Sequence, residues 1–526
     1  MSGRTPTPSS TSSAVSTTSA PSRRAPHGRL AGPPDPDVLQ RHPRLRVAAR
    51  RSVPARRVRP GAELGALASR RRRAGGRRPG DRRGRAQPAP HLRVATRSER
   101  ERHGLLVGRC GLERPMTRYA PWSLRELVDD LAADRVGLEQ VWQRSRRRIA
   151  ETEQRLHAWV VRDPQTSPAG IPLGVKDIID VAGYPTRCGS RVRADSAAAT
   201  TDAEIVRRWR AAGFVPAGKT VTTEFAYFSP GPTGNPAAPG HTPGGSSSGS
   251  AAAVAAGQVP LALGSQTAGS VTRPAAYCGV AALVLTRGLL PTDGVTGLAP
   301  SLDSHGFFTA GVADLACAWS MLTGAPDPLD APDAAPRVAV WDGGPPVEPS
   351  MRDAVAALRD RMVAEGADVV DFAHEVVAPA VEAHRMVMAY EAARERAAEL
   401  ARADELSRPL ADLLRTGAAI SDSEYTAARR AIERTRGAVS AVLGDYDVVL
   451  GPAAPGPAPH GLHATGDPVL SRPWQALGLP VVTVPGLRDP HGLPLGIQVI
   501  GAPHAEAALL RAAAWIHDIT DTRRSR

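Results

Sequence analysis

Lysine is almost absent from this chain, although basic side chains are abundant. Only Lys176 and Lys219 are lysines, and the other 64 of the 66 basic residues are arginines. Aromatic residues are also few, at 4% of the 526 residues. A chain of this length can still bury a large core, and we expect that core to consist mainly of Ala, Val and Leu.

Cysteines and long apolar runs are scarce as well. The four cysteines, Cys110, Cys188, Cys278 and Cys317, include no C-x-x-C pair, and this spacing argues against a zinc knuckle. Their scatter is typical of reduced thiols in the cytoplasm. No apolar run is long enough to span a bilayer, and the first thirty residues lack the apolar region of a signal peptide. We therefore expect a cytoplasmic protein that does not associate with membranes.

The net charge of +14 arises at one end of the chain. Residues 1–115 contain 27 arginines, no lysine and seven acidic residues, a net charge of +20. The remainder contains 39 basic and 45 acidic residues, a net charge of −6. A strongly basic protein suggests a nucleic acid partner, but the mildly acidic remainder makes such a partner unexpected.

Residues 1–115 are rich in Arg, Pro, Ala, Gly and Ser and show no sustained hydrophobic period. Such a segment cannot bury enough apolar surface to offset its conformational entropy. It is a disordered arm that binds nucleic acid, a solvated tail, or a segment outside the native protein. We favour the last, because GC-rich coding DNA read in a wrong frame also yields this composition, and Met116 opens the first well-patterned stretch. We therefore predict that translation starts at Met116 and that residues 116–526 form one domain.

Helical patterns lie on both sides of the centre of the chain. Ser123 followed by Glu126 predicts a capping box ahead of an apolar stripe over residues 124–131, and a second helix is predicted at about 138–159. A long helical region is predicted at about 380–443. Late core strands are predicted at 337–342, 448–450, 481–484 and 495–500.

The chain is organised around residues 244–274, GGSSSGSAAAVAAGQVPLALGSQTAGSVTRP. A Gly/Ser turn at 244–250 opens onto a short helix of small residues at 251–256, which Gly257 ends as a C′ glycine. A β-prone segment follows and ends in a second turn at 264–270. The sequence GGSSSGS is also typical of a flexible linker, but the apolar segments directly behind it favour a folded site with two serine-bearing turns.

Lys176 lies in GIPLGVKDIID, with apolar residues on both sides. The bias towards arginine would have replaced a lysine that served only as a cation, and lysine, unlike arginine, can lose its proton in a protein. A lysine that buries only its stem is the commoner case, but these flanks favour a lysine retained for its chemistry. We interpret Lys219, in AGKTVTTEF, as a structural lysine paired with Glu224.

These segments, together with GKTVTTEFAYF, PGGSSSGSAAAVAAG, GSQTAGSVTRPAAYCGV and GDPVLSRPW, resemble the amidase signature family. The resemblance extends from about Met116 to the end of the chain and is densest between residues 170 and 279. It implies an α/β fold, an α/β/α sandwich around a large mixed β-sheet, with a signature core at about 170–310. It also places residues 466–474 near the substrate.

The resemblance implies a Ser-Ser-Lys triad, with Ser270 as the nucleophile, Ser246 as the bridging serine and Lys176 as the base. A serine hydroxyl attacks poorly unless a base takes its proton. A lysine amine has a pKa of about 10.4 in water, so burial has to lower that pKa to near 7. The family holds its bridging serine after a cis peptide bond, here Gly245–Ser246.

The second turn is expected to form the oxyanion hole, with the backbone N–H groups of Thr267, Ala268, Gly269 and Ser270 facing the developing negative oxygen. Attack of Ser270 on an amide gives an acyl-enzyme and releases ammonia or an amine, and water then releases the acid. The resemblance implies neither a metal nor an organic cofactor.

Several positions depart from the family pattern. Gln266 stands where much of the family has Asp, and Thr272 stands where it has Arg, so we expect no lone buried charge; Arg273 lies one residue along. Ala268 replaces a common glycine and narrows the allowed backbone there. Residues 282–288, ALVLTRG, keep little of the usual loop, and we expect lower stability or activity from this change.

We predict an amidase that hydrolyses the C–N bond of a small-molecule carboxamide. One alternative is the amidase-like subunit of a tRNA-dependent amidotransferase. Another is an inactive binding protein with the amidase fold, or a nucleic acid binder that uses the arginine-rich arm. A homodimer is a further hypothesis. His460, His463 and His491 lie in loops, and their spacing does not indicate a metal site.

Overall fold

The computed structural model describes residues 119–162, 169–331, 334–344 and 346–520. The predictions for residues 1–115, and the predicted start at Met116, lie outside the described residues. The strands within these ranges are β1 (Trp159–Arg162), β2 (Ile171–Lys176), β3 (Phe214–Thr220), β4 (Leu261–Gln266), β5 (Ala281–Val284), β6 (Ser304–Thr309), β7 (Arg337–Trp341), β8 (Asp368–Phe372), β9 (Val448–Pro452), β10 (Val481–Arg488) and β11 (Pro494–Ile500).

These strands form one sheet in the order β1-β3-β2-β4-β6-β5-β10-β11-β9-β7-β8. Strands β3, β2 and β4 are parallel neighbours, as are β9, β7 and β8, and the remaining neighbours are antiparallel. Every residue of β2, β4, β5, β6, β9 and β11 is buried. Both faces of the sheet are therefore covered, and the predicted sandwich around a large mixed sheet is confirmed.

The covering layers are mainly helical. The helices of the described residues are α1 (Leu124–Ala132), α2 (Leu138–Leu156), α3 (Glu204–Ala211), α4 (Ser248–Ala255), α5 (Thr272–Cys278), α6 (Val312–Thr323), α7 (Pro349–Ala364), α8 (Ala378–Glu395), α9 (Ala397–Leu400), α10 (Arg408–Ala419), α11 (Asp422–Asp445), α12 (Arg472–Leu477) and α13 (Glu506–Thr520). The core is largely Ala, Val and Leu, as expected from the composition. None of these helices is both long and apolar enough to cross a membrane.

Helices α1 and α2 form where the sequence predicts them, but α2 ends at a different residue. Ser123 is the N-cap of α1 and accepts a hydrogen bond from the Glu126 N–H, and the predicted apolar stripe of that helix is buried. The return bond from the Glu126 side chain, which the predicted capping box requires, is not formed within the described residues. Helix α2 ends earlier than predicted, because His157 takes a left-handed conformation with φ of 52°. Trp159 then begins the edge strand β1, which pairs with β3.

Small residues allow helix α4, in the stretch at residues 244–274, to pack closely against neighbouring backbone. All eight residues of α4 are buried, and the helix is followed by Gly257 with φ of +67°, as predicted. A Cβ atom at Gly249 would lie 2.2 Å from the Ala158 carbonyl oxygen, so only glycine permits this approach of helix to strand. Strand β4 continues to Gln266, which makes the second turn shorter than predicted.

Candidate active site

Lys176 is the last residue of β2, and its side chain is fully buried. Its Nζ atom lies 2.7 Å from Ser246 Oγ, 3.0 Å from Ser265 Oγ and 3.3 Å from the Ser265 carbonyl oxygen. Ser265 belongs to β4, the parallel neighbour of β2, and parallel strands bring their carboxyl ends to one edge of a sheet. Burial lowers the pKa of Lys176 to about 7.

The two serine-bearing turns meet at this edge. The Gly245–Ser246 peptide bond is cis, as the resemblance implies. The Ser247 N–H donates to the Ser270 carbonyl oxygen over 3.2 Å and joins the turns. Ser246 and Ser270 line one chamber of about 20 Å³, and Lys176 contacts Ser246 from outside this chamber. The structure thus brings the three predicted triad residues together.

The turn at residues 267–270 presents backbone donors to the same chamber, which Thr267, Ala268 and Gly269 also line. The Gln266 Oε1 atom accepts from the N–H groups of Val271 and Thr272, at 2.9 and 3.0 Å, and caps the start of α5. Within the described ranges, the N–H groups of Thr267, Ala268, Gly269 and Ser270, the four predicted donors, have no acceptor. They are therefore available to a ligand.

A carboxylate that the sequence analysis did not identify accepts a hydrogen bond from this turn. Asp303 Oδ1 accepts from Thr267 Oγ1 over 2.5 Å, while Oδ2 accepts from the N–H groups of Leu298 and Ala299. Part of Asp303 reaches the surface, but its carboxyl group is desolvated, and this raises its pKa to about 6. Its negative charge favours the protonated form of Lys176. The available signal was an aspartate directly before the buried strand β6.

A histidine on α8 supports the turn from the other side. His384 Nε2 lies 2.7 Å from the Thr267 carbonyl oxygen, and Nδ1 lies 3.3 Å from Arg472 Nη1. Because a guanidinium group only donates, Nδ1 accepts and the ring hydrogen is on Nε2. Burial lowers the pKa of His384 to about 3, so the ring is neutral. A lone histidine among apolar helix residues was the signal for it.

The prediction for Lys219 is wrong in its partner. Lys219 Nζ lies 3.0 Å from Asp177 Oδ1, and both side chains are fully buried. Strand β3 runs parallel to β2 and therefore places Lys219 beside the residue that follows Lys176. Glu224 accepts instead from Ser190 Oγ at 2.6 Å and from the Ser407 N–H at 2.8 Å.

The expectation that no lone buried charge remains is also wrong. Arg273 is 3% exposed, and no carboxylate of the described residues lies within ion-pair distance of it. Its Nε donates to the Thr465 carbonyl oxygen at 2.6 Å, and its Nη2 donates to the Gly245 carbonyl oxygen at 2.7 Å. The guanidinium group lies on the chamber side of α5, whereas the Gln266 amide pairs with Gln475 at 3.1 Å.

A wider cavity of about 930 Å³ lies outside the chamber and shares Tyr227, Phe228, Met388 and Thr465 with it. Helices α8 and α10 contribute to its wall. The segment at 466–474, predicted to lie near the substrate, lines both spaces, with Pro468 in the chamber and Gly466, Asp467 and Arg472 in the outer cavity. We call these two spaces the inner chamber and the outer cavity.

The altered loop at residues 282–288 is anchored away from the chamber. The Thr286 N–H donates to Glu506 Oε1 at 2.9 Å, and Arg287 donates to the carbonyl oxygens of Gln475 and Ala476. None of residues 282–288 lines the chamber. In the described part of the chain, no cluster of three or more His, Cys, Asp or Glu side chains could hold a metal ion.

The chain is similar to known proteins over most of its described length. A family model described as Amidase matches residues 132–510. The chain is 34% identical over 417 residues to a subunit of the glutamyl-tRNA(Gln) amidotransferase of Synechococcus sp. (strain WH7803), covering 68% of this chain and 85% of that protein. It is 32% identical over 454 residues to the AtzE subunit of the 1-carboxybiuret hydrolase of Pseudomonas sp. (strain ADP), covering 75% and 97%. A crystal structure of an amidase superimposes with a TM-score of 0.69 at 26% identity, covering 76% of this chain and 99% of that one.

Proposed function

The chain belongs to the amidase family of hydrolases, which act on C–N bonds, and we propose that it hydrolyses a linear carboxamide through a Ser-Ser-Lys triad. The observation that carries this proposal is the 2.7 Å contact between the buried Lys176 Nζ and Ser246 Oγ, at the wall of the chamber that Ser270 lines. A lysine with a pKa of about 7 is partly a free amine at neutral pH. Such an amine can accept the proton that serine must lose.

The first step forms a tetrahedral intermediate. Ser270 Oγ attacks the amide carbonyl carbon, and its proton passes to Ser246 Oγ while the Ser246 proton passes to Lys176 Nζ. The carbonyl electrons move to oxygen, and the free N–H groups of residues 267–270 are the donors available to that oxyanion. Loss of one donor of this kind typically costs about 3 to 4 kcal/mol of transition-state stabilisation.

The next steps break the C–N bond, which leaves the Ser270 ester, and then hydrolyse that ester. The Lys176 ammonium group protonates the leaving nitrogen through Ser246, the C–N bond breaks, and ammonia or an amine departs. Water then attacks the Ser270 ester by the same proton route, and the carboxylic acid leaves with Ser270 regenerated.

The test is turnover of aliphatic, aryl and urea-like amides by the purified full chain, followed as release of ammonia or amine. We expect Ser270→Ala and Lys176→Arg each to lower kcat by about 10³-fold or more, because arginine cannot accept the proton. Ser320→Ala is the matched control, since this buried serine donates to the Ala325 carbonyl oxygen, outside the site. Turnover in Ser270→Ala equal to that of the wild type would contradict the triad.

A second candidate is the amidase-like subunit of a tRNA-dependent amidotransferase, which the 34% identity to a glutamyl-tRNA(Gln) amidotransferase chain favours. In that case ammonia transfer would occur only after partner subunits are added, whereas the amidase acts alone. Absence of turnover in both conditions would favour an inactive binding protein. A homodimer and a cytoplasmic location stay predictions.

A further inference from the structure

The Thr267–Ala268 peptide group lies between a side chain of helix α8 and the inner chamber. His384 Nε2 donates to the Thr267 carbonyl oxygen over 2.7 Å. The Ala268 N–H belongs to the same peptide group and has no acceptor in the described part of the chain. This peptide bond is trans, and a trans peptide group is planar with its C=O and N–H pointing in opposite directions. A donor that holds the oxygen therefore also fixes the direction of the free N–H.

His384 acts on this peptide group from outside the inner chamber. Its side chain is fully buried and does not line the chamber, whereas Ala268 does. One helical turn further along α8, Met388 lines the chamber wall, so the helix packs against the chamber and holds the histidine behind the turn. A change at His384 therefore removes no direct contact with a bound substrate.

Arg472 selects the form of the ring that makes this bond. Its Nη1 lies 3.3 Å from His384 Nδ1, and a guanidinium group only donates, so the ring hydrogen is on Nε2. Burial, and then the charge of Arg472, lower the pKa of His384 to about 3. The ring is therefore neutral over the pH range in which Lys176 titrates, and its one N–H is directed at the Thr267 carbonyl oxygen.

We propose that His384 is a positioning residue of the oxyanion hole, which orients the Thr267–Ala268 peptide group so that the Ala268 N–H donates to the oxyanion. The inference rests on the proposed function, because the oxyanion forms only when Ser270 attacks the amide. A hydrogen bond to the carbonyl oxygen also polarises the peptide group and makes its N–H a stronger donor. The gain arises in the transition state and not in the bound substrate, so it acts on kcat.

The experiment compares His384→Gln with His384→Asn, which carry the same uncharged amide on side chains that differ by one methylene group. The glutamine nitrogen reaches the position of Nε2 and can donate to the Thr267 carbonyl oxygen, whereas the asparagine nitrogen falls short of it. We expect His384→Asn to lower kcat by about tenfold or more and to keep KM within about twofold. His384→Gln should restore most of kcat. In both variants, the midpoint of the rise of kcat/KM with pH should equal that of the wild type.

His305→Gln and His305→Asn are the matched controls. His305 is also buried, its Nε2 lies 2.8 Å from the Pro291 carbonyl oxygen, and it does not line the inner chamber. We expect both controls to keep the wild-type kcat, even where Tm falls. If His384 were only structural, both of its variants would lose kcat and Tm alike, without rescue by glutamine. That result, or a wild-type kcat in His384→Asn, would overturn the inference and leave the amidase proposal intact.

Binding of methylboronic acid separates the inference from the proposed function. Its boron adds the Ser270 oxygen, the serine proton passes to Lys176, and the anionic adduct places an oxygen at the turn without turnover. We expect calorimetry to show binding by the wild type and His384→Gln, and binding weaker by about tenfold or more in His384→Asn.

The outcomes of this titration differ for the two proposals. Weaker binding in His384→Asn alone, by a chain that hydrolyses no amide, would support the positioning role and contradict the amidase. Equal binding by all three chains, together with amide hydrolysis that requires Ser270, would do the reverse. A wild type that neither hydrolyses amides nor binds the boronic acid would contradict both.

Discussion

Lys176 and Lys219 lie on adjacent strands and are both fully buried, yet their surroundings differ. Lys219 pairs with the carboxylate of Asp177, whereas Lys176 is surrounded by the hydroxyl groups of Ser246 and Ser265. Hydroxyl groups accept a hydrogen bond without neutralising a charge, so burial acts on Lys176 with little compensation. This contrast explains why one lysine serves as an ion-pair partner and the other is suited to act as a base.

The pH dependence of activity follows from this environment. A base acts in its neutral form, so we expect kcat/KM to rise with pH around the Lys176 pKa of about 7 and to level off above it. Asp303 stabilises the lysine cation, so Asp303→Asn should move the midpoint of this rise to lower pH. The variant should also lower kcat, because asparagine has only one acceptor oxygen and cannot accept from both the Thr267 hydroxyl and the Leu298 and Ala299 N–H groups. The measurement is a profile of kcat/KM between pH 5 and 9.

Asp314→Asn serves as the control for that profile. Asp314 accepts hydrogen bonds from Ser123, Arg125 and Gly311, away from the inner chamber. We expect its midpoint to equal that of the wild type. A midpoint in Asp303→Asn that stays in place or moves to higher pH would show that this carboxylate does not act on Lys176.

The sequence predicted the triad residues because each lies in a motif or departs from the composition. Lys176 stood out against the arginine bias, and the serines lie in two glycine-rich turns. Asp303 and His384 belong to no motif, and only the packing of helix α8 against the sheet brings both into contact with Thr267. The mistaken partner of Lys219 has the same cause, since strand register, rather than distance along the chain, places Asp177 beside it.

At the scale of the elements, α4 depends on glycine in a way that α11 does not. A Cβ atom at Gly249 would lie 2.2 Å from the Ala158 carbonyl oxygen and 2.4 Å from the Val221 nitrogen, both backbone atoms. Gly437 lies mid-helix in α11, is exposed, and has no atom within 4 Å of such a Cβ. The same substitution therefore meets opposite surroundings in two helices.

We expect Gly249→Ala to lower the free energy of unfolding by about 3 kcal/mol, because backbone atoms cannot move aside for the added methyl group. It should also lower kcat, since α4 begins two residues after Ser246. Gly437→Ala should raise the free energy of unfolding by about 0.5 to 1 kcal/mol through the loss of backbone entropy in the unfolded chain. Denaturant unfolding measures both, and equal stability of the two variants would contradict the close packing of α4.

Element boundaries were predicted less well than element types. The apolar period identified α2, but it gave no sign that His157 would end the helix. The region predicted as helical at 380–443 is divided into α8, α9, α10 and α11. Strands β7, β9, β10 and β11 were each located by their apolar runs, because a buried strand is apolar on both faces.

At the scale of the whole molecule, the first two described residues, Tyr119 and Ala120, contact the elements of the candidate site. The Tyr119 hydroxyl donates to the Gly279 carbonyl oxygen at 2.6 Å, and the Ala120 N–H donates to the Ala255 carbonyl oxygen at 3.0 Å. These contacts attach the start of the described chain to α4 and α5, the helices that position the two serines. The family match begins later still, at residue 132.

We therefore expect a chain of residues 116–526 to keep kcat/KM within about twofold of the full chain and Tm within about 2 °C. The comparison uses both proteins, purified in parallel, with amide turnover and thermal unfolding as measurements. Salt-sensitive binding of nucleic acid by the full chain, lost in the shorter one, would instead support the arm. Peptides from residues 1–110 in protein from the native host would contradict a start at Met116.

The size of the inner chamber has a consequence for the order of events. A space of about 20 Å³ admits about one water molecule. During the proposed reaction, the departing amine and the incoming water therefore occupy the space in succession. Once the amine has left, the Ser270 ester is the same for every amide that has the same acyl group. Small nucleophiles such as hydroxylamine then compete with water, and at a fixed hydroxylamine concentration and pH the ratio of hydroxamate to acid depends on the acyl group and not on the amine that has left.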